Sequence, residues 1–279
     1  MEGVMDMLAE KVGLDGYDIR ERNVLRPGDA FVTGQIMRES VGILQTLQAV
    51  KDIYKSAKMA GIGCGIKSTG LGNGVHDDGA VKITVLPGGR IAAFTGHTEM
   101  GQGLFTNLRQ AIVQETGIPL EKIEAGWAPE LGEKTGETWA SRGTALTTAA
   151  AIEAAKKFNE ARKTKSLDEL VGQEFYGDYV CAFTTRPGTP EAEKNPTTHL
   201  TFSYATQVAI LDENGKVQKM VAAHDVGHAI NPMACAGQIE GGVHMGLGYG
   251  LSENFTATDG IPDSLKMRDC GIVPAKDTP

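Results

Sequence analysis

The sequence is short of the residues from which most metal and redox sites are built. Its four cysteines, Cys64, Cys181, Cys235 and Cys270, stand far apart and form no CxxC pair. That spacing argues against a zinc or iron–sulfur site within the chain and points to free or buried thiols in a reducing cytoplasm. No apolar run approaches the roughly 18 residues that a membrane span needs. Met1 to Arg20 reads as an acidic amphipathic helix without the apolar h-region of a secretory signal. Basic residues are in the minority, 27 Lys and Arg against 35 Asp and Glu, for a net charge of −8. An acidic balance of this kind argues against binding a phosphate backbone, which requires clustered Lys and Arg. The usual catalytic signatures are missing as well: there is no G-x-S-x-G elbow, no H-E-x-x-H and no Walker lysine.

Glycine, by contrast, is abundant: 36 of 279 residues, against roughly 7% in average proteins. The glycines do not come with Ser or Pro repeats, so they do not form a flexible linker. They sit inside apolar stretches, where glycine implies positive φ or close approach of the backbone to something else. With 41% hydrophobic residues, the chain can bury a sizeable core as one large domain or two small ones.

The apolar period predicts helices over residues 2–15 and 19–25, and a longer helix over 41–59 capped by Ser40. The period then shortens. Strands are predicted at 62–67, 80–86 and 90–96, the last two joined as a hairpin by Pro87-Gly88-Gly89. A helix over 104–116, a strand over 123–127 and a helix over 143–161 follow. A strand over 174–183 leads through a proline-bearing loop (184–198) to a hairpin, 200–211 and 216–223, turned by Asn214-Gly215. A glycine-rich helix spans 237–251. This order has no regular βαβ alternation and no solenoid period, so the fold class is α+β. The division expected is a helical segment, 1–60, and an α+β domain, 61–279.

Four segments carry potential chemistry. Gly96 to Gly103 (GHTEMGQG) joins a strand to a helix. Glycines at a helix start let backbone N–H groups face an anion, although a tight turn that binds nothing explains them too. Gln102, between two glycines, carries two donors and an acceptor with little steric hindrance. Thr138 to Thr144 (TWASRGT) opens another helix, where Arg142 offers a fork for phosphate or carboxylate and Ser141 or Thr144 could serve as an ordinary cap. His224 to Pro232 (HDVGHAINP) precedes Gly237 to Gly246 (GQIEGGVHMG). Gly227 and Pro232 disfavour the helix that would align His224 and His228 on a metal. The glycines at 237, 241, 242, 246 and 248 read as a helix face lying against another backbone or a flat ligand. Last, Gly61 to Gly74 is a glycine run with Thr69 and Asn73 as its polar points. It either turns flexibly or lines a pocket.

Taken in order, these segments resemble the second molybdopterin-binding region of the xanthine dehydrogenase and aldehyde oxidase family. The likeness runs through MDMLA with IRERN near the start, TEMGQG, ASR, HDVG with NP, and GQIEG, and covers nearly the whole chain. Residues Phe175 to Gln207 and the ending Cys270 to Pro279 look most like its selenium-dependent xanthine dehydrogenase branch. The resemblance implies an α+β molybdopterin-binding domain with two layers of mixed sheet and packed helices. It implies a molybdenum-pterin, as molybdopterin or its cytosine dinucleotide, whose metal is held by the cofactor's own sulfurs. Gly101, Gln102, Gly103, Ala140, Ser141, Arg142, Gly143, Thr144, Gln238 and Glu240 would contact the cofactor. Thr69, Gly70 and Asn73 would lie near the substrate.

The chemistry so implied is oxidation of a purine-like heterocycle or an aldehyde, with water as the oxygen source. The family's glutamate base, in a Gly-Ala-Lys-Gly-x-Gly-Glu type motif, falls beyond the region matching Pro279, so no catalytic residue and no protein metal ligand is assigned. The chain is therefore expected to be a split subunit or a fragment, completed by the remaining molybdopterin-binding segments and by iron–sulfur and FAD subunits or domains. Nucleic acid and membrane are not expected partners. A non-catalytic remnant that keeps the fold without cofactor is the competing expectation. A partial domain should also leave apolar surface exposed near the helix after Gly237 or the run Gly61 to Gly74.

Overall fold

The computed structural model describes residues 1–279. Its helices are α1 (Glu2–Val12), α2 (Gly16–Asn23), α3 (Ile43–Ala49), α4 (Lys51–Ser56), α5 (Leu104–Thr116), α6 (Gly132–Thr135), α7 (Gly143–Arg162), α8 (Pro190–Lys194) and α9 (Pro232–Leu251). Its strands are β1 (Ala60–Thr69), β2 (Asp77–Leu86), β3 (Arg90–Thr95), β4 (Ile123–Trp127), β5 (Glu174–Cys181), β6 (Thr201–Leu211), β7 (Val217–Asp225), β8 (Ala257–Thr258) and β9 (Ile261–Pro262). This is the mixed α+β architecture that the order of periods implies.

Two sheets organise the chain, one ordered β4-β3-β2-β5 and the other β1-β6-β7. In the first, β2 pairs antiparallel with β3 and with β5, while β3 and β4 run parallel. A parallel pair needs a crossover connection, which α5 supplies. The inward residues of this sheet, Val81, Ile83, Val85 and Ile91, bury against Leu108 and Ile112 of α5 and Ala150, Ala154 and Phe158 of α7. Alanine dominates that face of α7 because the helix lies almost on the sheet. A Cβ at Gly79 would fall 2.3 Å from the Leu146 carbonyl oxygen, and one at Gly177 would fall 2.0 Å from the Ala150 carbonyl oxygen. Close backbone approach therefore does occur in this chain, at these two strand glycines and also inside the glycine-rich motifs, where a Cβ at Gly72 would fall 1.9 Å from the Thr198 carbonyl oxygen and one at Gly96 2.5 Å from the Leu131 carbonyl oxygen.

The second sheet carries the N-terminal helices. Tyr17 of α2 and Leu47 of α3 pack with Val50, Ile62 and Val208, and a Thr46–Thr206 hydroxyl pair at 3.0 Å ties α3 to β6. The single helix expected over 41–59 is two, α3 and α4. Val50 breaks away at φ −105°, ψ 0° and is itself 1% exposed, so its side chain serves the core rather than a helix surface. Ser40 caps neither helix: it sits at φ 52°, and α3 begins after Gly42 without a side-chain cap. The loop expected over 184–198 contains α8, whose first turn is capped by Thr189.

The last helix starts earlier than its glycine stripe suggests. Asn231 accepts a hydrogen bond from the Ala234 N–H, and Pro232 occupies the first turn, where a missing N–H costs nothing. Only Leu247 and Gly248 of α9 are buried. Met233, Met245, Tyr249 and Leu251 are exposed, and beyond the helix so are Phe255, Leu265 and Met267. No helix is long and apolar enough to cross a membrane.

Candidate functional site

Three of the four glycine-rich segments converge on one cleft. The cleft has a volume of about 640 Å³. One wall comes from the starts of α5 and α7, through Gln102, Asn107, Ser141 and Thr144. The other comes from the end of β7 and the start of α9, through His224, His228, Asn231 and Gln238, with Gln207 from β6. No carboxylate lines it. The walls present amides, hydroxyls and imidazoles, groups that pair with the edge of a polar heterocycle better than with a cation.

The turn from β3 to α5 already has an anion at its helix start. Glu99 accepts the N–H groups of Gly101 at 2.9 Å, Gly103 at 2.9 Å and Phe105 at 3.0 Å. Burial pushes this carboxyl up, yet those backbone donors outweigh burial and hold it below its ordinary value. Gly101 and Gly103, at φ 99° and 82°, supply the left-handed backbone that wraps the turn around the carboxylate. The anion-binding geometry inferred from the glycines is thus real, and residue 99 of the same turn fills it. Gln102 closes the turn, taking the Met100 N–H at 2.5 Å and donating to the Thr98 carbonyl at 2.8 Å. Gln238 reaches across from α9 to the Gly101 carbonyl at 3.2 Å, so the two lone glutamines meet on one turn.

The start of α7 is strained. Ala140 and Ser141 both stand at φ 54°, and left-handed backbone costs a residue with a Cβ roughly 1–2 kcal/mol. Neither Ser141 nor Thr144 caps α7; Arg142 is at the cap position without a side-chain cap bond. The Arg142 fork, expected to face a ligand, is 3% exposed and grips Asp77 at 2.9 Å. Its second nitrogen donates to the Thr135 and Glu137 carbonyls at 3.0 and 2.7 Å. The carboxylate suited to this fork is internal, a partner 65 residues away. Beside it His97 is fully buried, with Nδ1 3.1 Å from the Thr147 hydroxyl. Burial, then the Arg142 charge, hold His97 down to about 4, against a smaller opposing pull from Asp77.

The remaining expected residues scatter. Gly103, Ala140 and Gly143 belong to the two turns without lining the cleft, and Glu240 is exposed on α9. Thr69 ends β1 opposite Thr201. The Gly70 N–H donates to the Ala140 carbonyl at 2.9 Å, so it braces the cleft wall from behind. Asn73 lines a separate cavity of about 340 Å³ with Thr33, Thr185 and Thr198. Of the histidines, His224 and His228 share the cleft, whereas His244 turns its Nε2 to the Val273 carbonyl at 2.7 Å. The glycines of α9 at 237, 241, 242 and 246 meet nothing within 4 Å, and the place of a Cβ at Gly248 is taken by the Glu253 side chain. No element of this chain is the close neighbour that the stripe implies.

Asn107, Gln207 and Asn231 were not expected in the site. Asn107 is one helical turn beyond Gly103, and its Nδ2 donates to the Thr144 hydroxyl at 3.3 Å, while its Oδ1 is buried without a partner. Asn231 donates to the Gln110 side chain at 3.2 Å, clasping α9 to α5. An amide one turn inside an amphipathic helix carries no local signal that it faces a cleft.

The comparisons with known proteins agree on this architecture. The family model described as "Molybdopterin cofactor-binding domain" matches residues 37–169 and 161–279. A probable xanthine dehydrogenase subunit of Bacillus subtilis is 27% identical over 100% of this chain and 43% of its own length. An aldehyde oxidoreductase of Megalodesulfovibrio gigas is 25% identical over 91% of this chain and 31% of its own. Among solved structures, an aldehyde oxidoreductase from Desulfovibrio desulfuricans superposes with a TM-score of 0.77 at 21% identity, covering 100% of this chain and 33% of that one. Quinoline 2-oxidoreductase from Pseudomonas putida 86 gives the same TM-score and identity, with 43% of its chain covered. The chain thus spans less than half the length of these relatives.

Proposed function

Since the chain belongs to the molybdopterin cofactor-binding domain family of the xanthine dehydrogenases and aldehyde oxidoreductases, we propose that its cleft forms one side of the cofactor site of a molybdenum hydroxylase. The observation that carries this reading is the convergence of the TEMGQG, ASR and GQIEG segments on a single polar cleft. The donor set fits the group. A pterin edge needs hydrogen-bond donors and acceptors, and amides and hydroxyls without a competing carboxylate offer both. The unpartnered Asn107 Oδ1 is an acceptor that a bound heterocycle would satisfy.

In this reading Gln102, Ser141, Thr144 and Gln238 hold the cofactor, and Asn107, Gln207 and Asn231 complete the wall. Gly101, Gly103, Ala140, Arg142 and Gly143 shape the two turns. Gly70 braces the Ala140 turn from behind, and Thr69 and Asn73 flank it without lining the cleft. When bound, the molybdenum-pterin supplies the two-electron oxidation that hydroxylates a heterocycle or an aldehyde with oxygen from water. This chain's own part is to orient the pterin and to keep bulk water from one of its faces. The glutamate base would come from the remaining molybdopterin-binding region of the enzyme, which would also cover the exposed face of α9. Iron–sulfur and FAD partners would carry the electrons away.

Metal and pterin analysis of the protein purified from its own host tests this. Molybdenum and pterin in equal amounts, lowered severalfold by Gln238→Ala, is the expected result. Protein assembled with its partners yet free of both would instead mark a scaffold that keeps the fold without the cofactor.

A further inference from the structure

The most buried ion pair in the molecule lies behind the cleft wall. Asp77 is 0% exposed and Arg142 is 3% exposed. Between them they hold two loops, the one after β1 and the one that joins α6 to α7. One oxygen of Asp77 takes Arg142 Nη1 at 2.9 Å. The other accepts the Leu71 N–H at 2.7 Å and the Gly72 N–H at 3.4 Å. Arg142 donates onward to the Thr135 and Glu137 carbonyls. The Gly70 N–H, on the loop that Asp77 secures, donates in turn to the Ala140 carbonyl. The two residues that this frame encloses, Ala140 and Ser141, are held left-handed. Ser141 is exposed and lines the cleft.

A buried ion pair is weak support for bulk stability, because desolvation offsets its Coulomb attraction. Strained backbone persists only where its surroundings over-determine it. The two facts have one explanation. We infer that Asp77 and Arg142 are positioning residues that lock the Ala140–Ser141 turn in its left-handed form and so set the cleft wall at the start of α7. Their link to a cofactor rests on the function proposed above; the locking of the turn does not. Lysine cannot replace Arg142 here, since a single ammonium lacks the fork that reaches a carboxylate and two carbonyls together.

The test uses the 279-residue chain and its assembled complex. In Asp77→Asn, hydrogen exchange at residues 71–72 and 139–142 should quicken at least tenfold, while amides in β2 and β3 keep their protection. Should that variant fail to fold, Arg142→Lys provides the same measurement. In the complex, Asp77→Asn should lower bound pterin, read by its fluorescence after oxidation, at least fivefold. Adding Ala140→Gly and Ser141→Gly should restore more than half of the loss, because glycine adopts the left-handed turn without being held there. Exchange unchanged within twofold overturns the inference, and so does a pterin loss that the glycines leave in place. A parent complex that carries no pterin, together with the local exchange effect, sinks the proposed function and leaves the locked turn standing.

Discussion

Helices α7 and α9 are each 20 residues long, both are rich in small residues, and both begin at the cleft. Their surroundings are opposite. Along α7, Leu146, Thr147, Ala150, Ala151, Ala154 and Phe158 are all 0% exposed. Along α9 only Leu247 and Gly248 are buried. Small residues have a plain use on α7: they let the helix approach β2 and β5 to backbone distance at Gly79 and Gly177. The same composition on α9 meets little of this chain: Gly237, Gly241, Gly242 and Gly246 have nothing within 4 Å, and Gly248 only the Glu253 side chain. A run of small residues therefore records that something comes close, but not what it is. On α7 the neighbour lies within the chain. On α9 the proposed function assigns the small face to a neighbour supplied by the rest of the enzyme; the chain spans 43% of its Bacillus subtilis relative.

The sharpest way to test the α7 side is to fill its contact. Gly177→Ala puts a methyl 2.0 Å from the Ala150 carbonyl oxygen and 2.3 Å from the Ala154 nitrogen. Backbone on both sides cannot yield as a side chain can, so overpacking should cost about 1–3 kcal/mol. Urea unfolding followed by circular dichroism measures the loss. A midpoint equal to that of the parent chain would mean that α7 is free to lift from the sheet, and the contrast with α9 would collapse.

A smaller effect concerns acid. His97 lies against Thr147 of α7 and is held down to about 4 from an ordinary 6.5, chiefly by burial and then by Arg142. The unfolded chain binds a proton at this residue as pH falls through 6.5, whereas the folded chain resists until about 4. Stability should therefore be full above pH 6.5 and decline steadily from there to about 4. His97→Gln should flatten that part of the profile relative to the parent chain. Identical slopes in the two proteins would show that the side of α7 near Arg142 is open to water.

How much of this was legible in the sequence follows from the range of each interaction. The hairpins at Pro87-Gly88-Gly89 and Asn214-Gly215 and the spans of α5 and α7 are local, and the pattern of apolar residues suffices for them. The convergence of three segments on one cleft came through the family resemblance. The partner of Arg142 did not come from either source: the fork announced a carboxylate, but Asp77 lies 65 residues away on another element. Glu99 stood inside a motif already singled out, yet its role as the anion at its own helix start depends on a turn geometry that composition does not encode. The break at Val50 was hidden for the opposite reason. Its apolar side chain fits a continuous helical stripe as well as it fits the core.

The smallest expected effect bears on α9 and has the opposite sign. Gly241 is exposed in the middle of the helix, and a Cβ there would meet nothing within 4 Å. Its backbone is helical, so alanine fits without strain. Glycine in a helix interior is less favourable than alanine by about 0.8–1.0 kcal/mol. Gly241→Ala should therefore stabilise the isolated chain by up to about that amount, seen as a higher urea midpoint with an unchanged slope. The identical methyl on α7's partner strand, at Gly177, should destabilise. If the stripe on α9 serves a close approach by the rest of the enzyme, the gain must reverse on assembly: Gly241→Ala should weaken association with the partner chain in a titration although the free chain is more stable. Association at parental strength would show that the glycine is spare and that the exposed face of α9 is not where the enzyme closes over the cleft.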